Sequence, residues 1–183
     1  MADQLISDRY REQQTRLHES NPDYGTASVS FAPLAADLMR QNRITRLLDY
    51  GAGKGRLAQA LNQLLAFPFT AAHYDPAIPE WSKTPSPEDF VCCIDVLEHI
   101  EPDRLDAVLD DLKRVTRRIG FFTVHTGPAR KSLADGRNAH LIQQPPDWWL
   151  PRLMNRFELY NFSRVENGFH VIVGPKPAPA EPS

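Results

Sequence analysis

The sequence predicts an α/β fold: a Rossmann-like, mostly parallel sheet with helices on both faces and a C-terminal antiparallel hairpin. Three observations predict it. Short apolar runs alternate with amphipathic helical segments, the order of βαβ units. One run, "FVCCI", is continuously apolar, as strands buried on both faces of a parallel sheet are. The last two strand-like runs are separated by a Glu-Asn-Gly turn, which joins antiparallel strands.

The first half of the chain predicts two helices and then a βαβ unit. Residues 3–19 are polar and helix-friendly and stop at "NPDYG". "SFAPLAADLMRQN" has apolar residues at helical spacing, with Pro33 expected in its first turn. "ITRLLDYG" predicts a strand, "GRLAQALNQLLA" an amphipathic helix, and "FTAAHYDP" a second strand that Pro76 stops.

The second half predicts another βαβ unit and the hairpin. "AIPEWSKTPSPED" holds three prolines in thirteen residues and predicts a loop before the strand "FVCCI". "EPDRLDAVLDDLKRVTRR" predicts a helix that Gly120 ends, followed by the strand "FFTVHT". After a long polar segment, "WWLPRLMNRF" predicts a short helix with a proline in its first turn. "ELYNFSRVENGFHVIVG" predicts the two closing strands.

Length and composition indicate a single domain. The chain has 183 residues, and we expect one domain over residues 1–174 with a disordered Pro/Ala-rich tail over 175–183. The net charge of −2 gives no overall basic field for nucleic acid. No apolar run is long enough for a membrane span, and no secretory leader is evident at the start. The adjacent Cys92 and Cys93 indicate reduced core thiols, so a cytoplasmic location is expected.

Three alternating glycines follow the first predicted strand. Gly51, Gly53 and Gly55 either form a tight turn or let a ligand approach the backbone closely. The dinucleotide-binding pattern would need a glycine at Arg56, and a phosphate-binding P-loop would need Ser or Thr after Lys54. An NAD enzyme and a nucleotide triphosphatase are therefore disfavoured.

Asp75 ends the second predicted strand, twenty residues after Gly55. A carboxylate at this place can accept hydrogen bonds from both hydroxyls of a ribose. It could also simply end the strand together with Pro76. Its pairing with the glycine loop favours the ribose-binding interpretation.

The ordered motifs resemble those of class I S-adenosylmethionine-dependent methyltransferases, including small methyltransferase-like proteins of phages and bacteria. "LLDYGAGKG" resembles the cofactor motif, "DFVCCIDVLEHI" the fourth-strand motif, and "LDDLKRVTRRIGFFTV" and "FELYNFSRVENGFHVIV" the elements that follow, together covering about residues 33–173. The resemblance implies S-adenosylmethionine as cofactor. It also implies that the cofactor-binding residues are Asp49, Gly51, Ala52, Gly53, Asp75, Pro76 and Asp95.

The sequence departs from the family pattern between residues 76 and 88. The family has a helix and a third strand there, so the third-strand region is expected to be shortened. No acidic residue can be assigned to the adenine. Trp81 could stack on the adenine or pack the loop down.

The catalytic candidates are Asp95, His99 and His140. Methyl transfer to oxygen requires a positioned nucleophile and a base that removes its proton. Asp95, Glu98 and His99 form a D-x-x-E-H pattern that His140 could complete as a metal set. Ubiquinone-pathway O-methyltransferases and small-RNA 2′-O-methyltransferases, which use a divalent metal, look similar here. We favour a metal-free site, because L-E-H also occurs in methyltransferases that bind none.

Two segments are expected to flank the site. The polar segment after the fifth family strand offers donors for a hydroxylated or anionic acceptor, and tryptophans that either stack on it or pack a helix. Its candidates are Arg130, Lys131, Arg137, Asn138, His140, Trp148 and Trp149. In this fold a helix before the first strand often covers the cofactor. Residues 1–30 are thus an N-terminal lid or an exposed arm, with Tyr10, Arg11 and Tyr24 as candidate contacts.

The sequence therefore predicts a methyltransferase that methylates a small or terminal hydroxyl. One alternative is an RNA or DNA methyltransferase, in which Lys113, Arg114, Arg117 and Arg118 would face phosphates. The other is a non-catalytic S-adenosylmethionine-binding protein. A small-molecule substrate is favoured over nucleic acid, no membrane is expected, and the pattern says nothing of the oligomeric state.

Overall fold

The structure is a computed structural model that describes residues 5–20 and 26–177. Six strands form one sheet in the order β2-β1-β3-β4-β6-β5. The first four strands are parallel, and β6 and β5 are antiparallel to their neighbours. The strands are β1 Arg46–Tyr50, β2 Thr70–Tyr74, β3 Glu88–Ile94, β4 Thr116–His125, β5 Phe157–Val165 and β6 Gly168–Pro175. The predicted fold class is confirmed.

Five helices of eight or more residues accompany the sheet in the described part of the chain. They are α1 Asp8–Ser20, α2 Ala27–Asn42, α3 Arg56–Leu64, α4 Leu105–Val115 and α5 Pro146–Met154. Buried residues of α2 and α3 pack on one face of the sheet. Buried residues of α4 and α5 pack on the other.

The two cysteines show how the sheet separates its two cores. Successive residues of a strand point to opposite faces. Cys92 accordingly belongs to the core beneath α2 and α3, and Cys93 to the core beneath α4 and α5. Both are free and fully buried, as expected, and burial raises the pKa of each thiol well above its usual value.

Three local predictions about helix ends are wrong. Pro33 lies inside α2, which begins earlier than expected, at Ala27. The C-terminal short helix begins at Pro146, so Pro151 is inside it and not in its first turn. Gly120 does not end a helix: α4 stops at Val115, and Gly120 lies within β4.

Packing accounts for the glycine in the middle of β4. A Cβ atom at Gly120 would lie 2.6 Å from the Phe122 ring and 2.9 Å from Val173 Cγ2. The glycine is therefore required by close side-chain neighbours on the sheet and not by a turn.

The shortened third-strand region is present as expected. A single short turn of helix, Pro79–Trp81, lies between β2 and β3 within this described stretch. The predicted apolar stripe of α3 is buried at Leu57 and Leu61, whereas Leu64, expected on the same stripe, is exposed and Leu65 follows the helix. The "NPDYG" turn, Tyr24 and most of the predicted tail lie outside the described residues. None of the helices in the described ranges has the length and apolarity of a membrane-crossing segment.

Candidate active site

The predicted site residues meet at one edge of the sheet. Because β1 to β4 are parallel, their carboxyl ends lie on the same edge. β1 ends at the glycine loop, β2 at Asp75, β3 at Asp95 and β4 at His125. The fold thus places at one edge residues as far apart in the sequence as Asp49 and His125, which are separated by 76 positions.

The glycine loop has a left-handed backbone. Gly51, Gly53 and Gly55 have φ of 77°, 53° and 65°. The loop is fixed by the amides of Gly51 and Ala52, which donate to the Tyr74 carbonyl at 2.7 and 3.0 Å. A Cβ atom at Gly51 would lie 2.4 Å from Val96 Cγ2. The turn therefore needs glycine for both its dihedrals and its neighbours.

Asp75 holds the loop while facing the cleft. Its Oδ2 accepts from the Gly53 amide at 2.9 Å, and its Oδ1 accepts from the Ala77 amide at 2.9 Å. The adjacent Pro76 lines the same cleft. Each carboxylate oxygen has a second lone pair, so Asp75 retains two acceptor positions for hydroxyl groups.

Asp49 is an unusual buried carboxyl group beneath the loop. It is 3 % exposed, and its Oδ2 has no hydrogen-bond partner within the described part of the chain. Burial, with a smaller contribution from the nearby Asp75 charge, raises the pKa of Asp49 to about 7. A buried carboxylate without a partner favours a nearby cation.

Helix α1 covers the cleft. The Tyr10 hydroxyl donates to the His99 carbonyl at 2.5 Å, and the Thr15 hydroxyl donates to the Ala77 carbonyl at 2.8 Å. His18 Nε2 lies 4.0 Å from Asp75 Oδ2. A cavity of about 90 Å³ is left between the helix and residues that include Gly51 and Asp75.

Asp95 and Glu98 form a pair of facing carboxyl groups. Asp95 has a positive φ of 59°, uncommon for a residue other than glycine, and its amide donates to Thr123 Oγ1 at 2.9 Å. Glu98 is fully buried, and its Oε1 accepts from the His125 amide at 2.6 Å. Burial, and then the neighbouring Asp95, raise the pKa of Glu98 well above its usual value.

Two histidines adjoin this pair, with their rings 4.7 Å apart. His99 Nδ1 lies 2.8 Å from the Ala139 carbonyl oxygen, and His140 Nδ1 lies 2.7 Å from the Gly127 carbonyl oxygen. A carbonyl oxygen only accepts, so both Nδ1 atoms carry the hydrogen. Burial lowers the pKa of His99 to about 4 and also lowers that of His140. Both rings are thus neutral near pH 7.

Three of the four metal candidates converge. One ligand atom from each of Asp95, Glu98 and His140 lies within 4.8 Å of the others. His99 is not part of this group, although it is next to His140 in space. Carboxylate oxygens and an imidazole nitrogen could together hold a divalent cation.

A second, larger cavity opens beside these groups. Its volume is about 790 Å³, and Asp95 and His99 line both this cavity and the cleft under α1. Arg130, Lys131 and His140 line it, as predicted, and so do Thr126 and Asn167. Sequence reasoning missed His125, which also lines it; its place at the end of a predicted strand was the available signal.

Other predicted residues lie elsewhere. Trp81 stacks on His73 with ring centroids 4.6 Å apart. Trp149 is fully buried in the core, so the packing interpretation holds for it, while Arg152 covers the ring of Trp148 at 3.6 Å. Arg137 pairs with Asp135 instead of lining the large cavity.

The predicted basic face on α4 is partly neutralised. Arg114 pairs with Asp111 at 2.8 Å, and Arg118 lies 3.7 Å from Asp89. Paired cations are less available for phosphates, so this face gives little support to nucleic-acid binding.

Comparison with known proteins identifies relatives of this architecture. A family profile described as a methyltransferase domain matches residues 10–167. No curated protein sequence matches the chain. The fold is similar to that of Burkholderia thailandensis 1,6-didemethyltoxoflavin-N1-methyltransferase, solved with S-adenosylhomocysteine. The TM-score is 0.67 at 16% identity, over 91% of this chain and 87% of that one.

Two further solved structures share the fold. The mitomycin 7-O-methyltransferase MmcR aligns with a TM-score of 0.68 and 12% identity, over 92% of this chain and 60% of that one. The small RNA methyltransferase HEN1 aligns with a TM-score of 0.61 and 13% identity, over 84% of this chain and 26% of that one. The fold is therefore shared by enzymes that methylate different acceptors.

Proposed function

This chain belongs to the methyltransferase-domain family and is an S-adenosylmethionine-dependent methyltransferase, and we propose that it methylates a hydroxyl of a small molecule bound in the 790 Å³ cavity. The observation that supports this proposal is the position of His140. Its Nδ1 hydrogen is held by the Gly127 carbonyl, which leaves Nε2 as the basic nitrogen, and one ring nitrogen of His140 lies within 4.8 Å of an Asp95 carboxylate oxygen.

The residues at the strand ends fit the cofactor. Gly51 and Gly53 form a cradle without side chains, Asp75 retains acceptor positions for ribose hydroxyls, and buried Asp49 has an unpartnered oxygen for a cationic amino group. Ala52, Pro76 and Asp95 complete the proposed binding set. When bound, S-adenosylmethionine supplies an electrophilic methyl group.

Helix α1 is the proposed lid. The 90 Å³ that remains beneath it is far too small for a nucleoside joined to an amino acid. Cofactor entry therefore requires α1 to move away from Ala77 and Asp75. Hydrogen exchange of the α1 amides should be faster in the free protein than in its complex with S-adenosylhomocysteine; equal rates would argue against a lid.

His140 is proposed to accept the proton of the acceptor hydroxyl. A neutral imidazole with a fixed Nδ1–H can take a proton at Nε2 without rotating. Asp95 and His99 lie where the two cavities meet, so we assign them to orienting the hydroxyl toward the cofactor.

The test is His140→Gln, with His170→Gln as the matched control. The His170 ring packs against Phe31 and Phe121 and lines neither cavity. With S-adenosylmethionine and a panel of phenols and alcohols, His140→Gln should lower kcat by about 10²–10⁴-fold. The affinity for S-adenosylhomocysteine should stay within about twofold, since the ring does not line the cofactor cleft. If kcat is undiminished, His140 does not accept the proton of the acceptor hydroxyl.

Cation-assisted methylation is the second candidate, favoured by the convergence of Asp95, Glu98 and His140. A divalent cation could orient the acceptor oxygen and lower its pKa. Our proposal is the metal-free mechanism, because a proton retained by Glu98 relieves the repulsion between the two carboxyl groups. Turnover after dialysis against EDTA should then persist; loss of activity that Mg²⁺ or Mn²⁺ restores would favour the cation.

A further inference from the structure

Helix α1 shares a small hydrophobic core with the polar segment, residues 126–145, which joins β4 to α5. Among the described residues, the members of this core come from α1, from the residue before its cap and from the polar segment. They are Ile6, Tyr10, Leu133 and Ala139, with Leu17, Ala129 and Leu141 packed against them. The polar segment also carries His140. The shared core therefore joins the helix that covers the cofactor cleft to the segment that supplies the proposed base.

Polar contacts on the surface continue the same interface. Gln13 Nε2 donates to Asp135 Oδ2 at 3.0 Å, and Arg137 Nη2 donates to Gln13 Oε1 at 3.4 Å. Arg9 Nη2 lies 3.8 Å from Asp135 Oδ2. Exposed contacts of this kind add little stability, so the shared core is the main connection between α1 and the polar segment.

Glu101 holds the N-terminal end of α1. Its Oε2 accepts from the Ser7 amide at 2.8 Å, and its Oε1 accepts from the Ser7 hydroxyl at 2.6 Å. Ser7 precedes α1 and caps it, because its hydroxyl oxygen accepts from the Tyr10 amide at 3.2 Å. The Glu101 carboxylate thus lies at the positive end of the helix dipole, where a negative charge is stabilising. We call these two bonds the Ser7–Glu101 clasp.

His99 is held on both sides by the same assembly. Its carbonyl oxygen accepts from the Tyr10 hydroxyl, and its Nδ1 donates to the Ala139 carbonyl oxygen at 2.8 Å. Tyr10 and Ala139 both belong to the shared core. His99 lines the cofactor cleft and the 790 Å³ cavity, whereas Glu101 lines neither of them. An effect of Glu101 on either cavity is therefore transmitted through the residues that it holds in place.

We propose that Glu101 is a positioning residue, which anchors α1 so that a bound cofactor orders the polar segment and thereby places His140. The clasp keeps the N-terminal end of α1 in position, so the helix pivots near Ser7 when the cofactor enters. Leu17 lies toward the other end of α1, and the shared core opens with it. A cofactor beneath α1 supports the helix and closes the core again. This inference rests on the proposed function, because it takes α1 as the lid and His140 as the base.

Hydrogen exchange of the full chain tests the coupling, with S-adenosylhomocysteine as the probe. The Leu133 amide donates to the Arg137 carbonyl and the Ala139 amide to the Lys131 carbonyl, so both exchange when the polar segment opens. None of residues 126–145, all of which the structure describes, lines the cofactor cleft. Saturating S-adenosylhomocysteine should nevertheless slow exchange at both amides by about tenfold. Unchanged exchange at these two amides would overturn the proposal.

Glu101→Gln tests the anchor, with Asp103→Asn, an exposed carboxyl group two residues further on, as the matched control. Glutamine removes the negative charge and one acceptor oxygen, and so one of the two bonds from Ser7. In the complex with S-adenosylhomocysteine, exchange at Leu133 and Ala139 should be about tenfold faster than in the wild type, because a charge-assisted bond is lost. Asp103→Asn should match the wild type.

The Cys93 amide in β3 reports on the fold as a whole. Its exchange should be the same in Glu101→Gln and in the wild type, because the clasp holds α1 and not the sheet. Equally accelerated exchange at Cys93 would show that Glu101 only stabilises the fold and would overturn the proposal. Wild-type exchange at Leu133 and Ala139 in Glu101→Gln would overturn it too.

Turnover shows whether the ordered segment matters for methyl transfer. With the same phenols and alcohols, Glu101→Gln should lower kcat about tenfold, since a misplaced His140 acts in the bound complex, and Asp103→Asn should not. Wild-type kcat in Glu101→Gln would contradict a positioning role.

Failure of this inference is distinguishable from failure of the proposed function. If S-adenosylhomocysteine protects α1 but not Leu133 and Ala139, the lid stands and the coupling fails. If both amides are protected but His140→Gln keeps full turnover, the coupling stands and the base assignment fails.

Discussion

Replacing Asp49 with asparagine should make the protein more stable at alkaline pH. The carboxyl group is buried beneath the glycine loop, and its pKa is about 7 compared with the ordinary value of 3.8. The folded protein therefore binds the Asp49 proton more tightly than the unfolded chain does. Stability falls as pH rises from about 4 to 7, because unfolding then releases a proton.

The size of the effect follows from the two pKa values. Their difference of about 3 corresponds to a cost of about 4 kcal/mol for ionising Asp49 in the folded protein. At pH 5 Asp49 is ionised in the unfolded chain but still protonated in the folded protein, and the free energy of unfolding has already fallen by about 1.7 kcal/mol. It falls by about 2–3 kcal/mol more between pH 5 and pH 9. An asparagine side chain does not ionise, so the variant escapes this loss.

Urea unfolding at each pH from 5 to 9 measures the effect. The stability of Asp49→Asn minus that of the wild type should increase by about 2–3 kcal/mol over this range, whatever constant offset the substitution adds. Asp37→Asn is the control, since Asp37 is exposed and pairs with Arg40; its difference should be flat. A flat difference for Asp49→Asn as well would refute the raised pKa.

Two further substitutions test the cofactor cleft. Asp75→Ala should weaken binding of S-adenosylhomocysteine by about 1–3 kcal/mol in calorimetry, whereas exposed Asp103→Ala should not; equal affinity would count against the ribose assignment. Gly51→Ala should cost about 2–5 kcal/mol, because a strained φ of 77° is combined with a Cβ 2.4 Å from Val96. Gly136→Ala, at φ 85° with nothing within 4 Å, should cost only about 1–2 kcal/mol in the same urea titration. A similar loss of stability for the two substitutions would show that Val96 moves to make room for the added Cβ atom.

Patterns confined to one segment were predictable from the sequence. The alternation of strands and helices follows from apolar periodicity, and the positive φ values of the glycine loop follow from the absence of a Cβ. Local reasoning failed at Gly120, where a glycine in the chain suggested a helix end. The actual cause is the space taken by Phe122 and by Val173, which is 53 positions away.

The site itself depends on longer distances. The motif at residues 95–99 suggested a four-member metal set, yet only Asp95, Glu98 and His140 converge among the described residues. His140 is 41 residues from His99 in the sequence. It joins the set only because the polar segment folds back across the sheet edge. His125 was missed although its place at the end of a predicted strand was a local signal.

The sequence by itself determined the sheet, its helices, the glycine loop and the carboxylates that follow β1 and β2, because these depend on hydrophobic periodicity and on backbone freedom over a few residues. Only the tertiary structure decided that α1 covers the cleft, that burial raises the pKa of Asp49 to about 7, and that His140 lies beside Asp95 and Glu98. Burial and hydrogen-bond polarity are properties of neighbours in space, and those neighbours come from segments far apart in the chain.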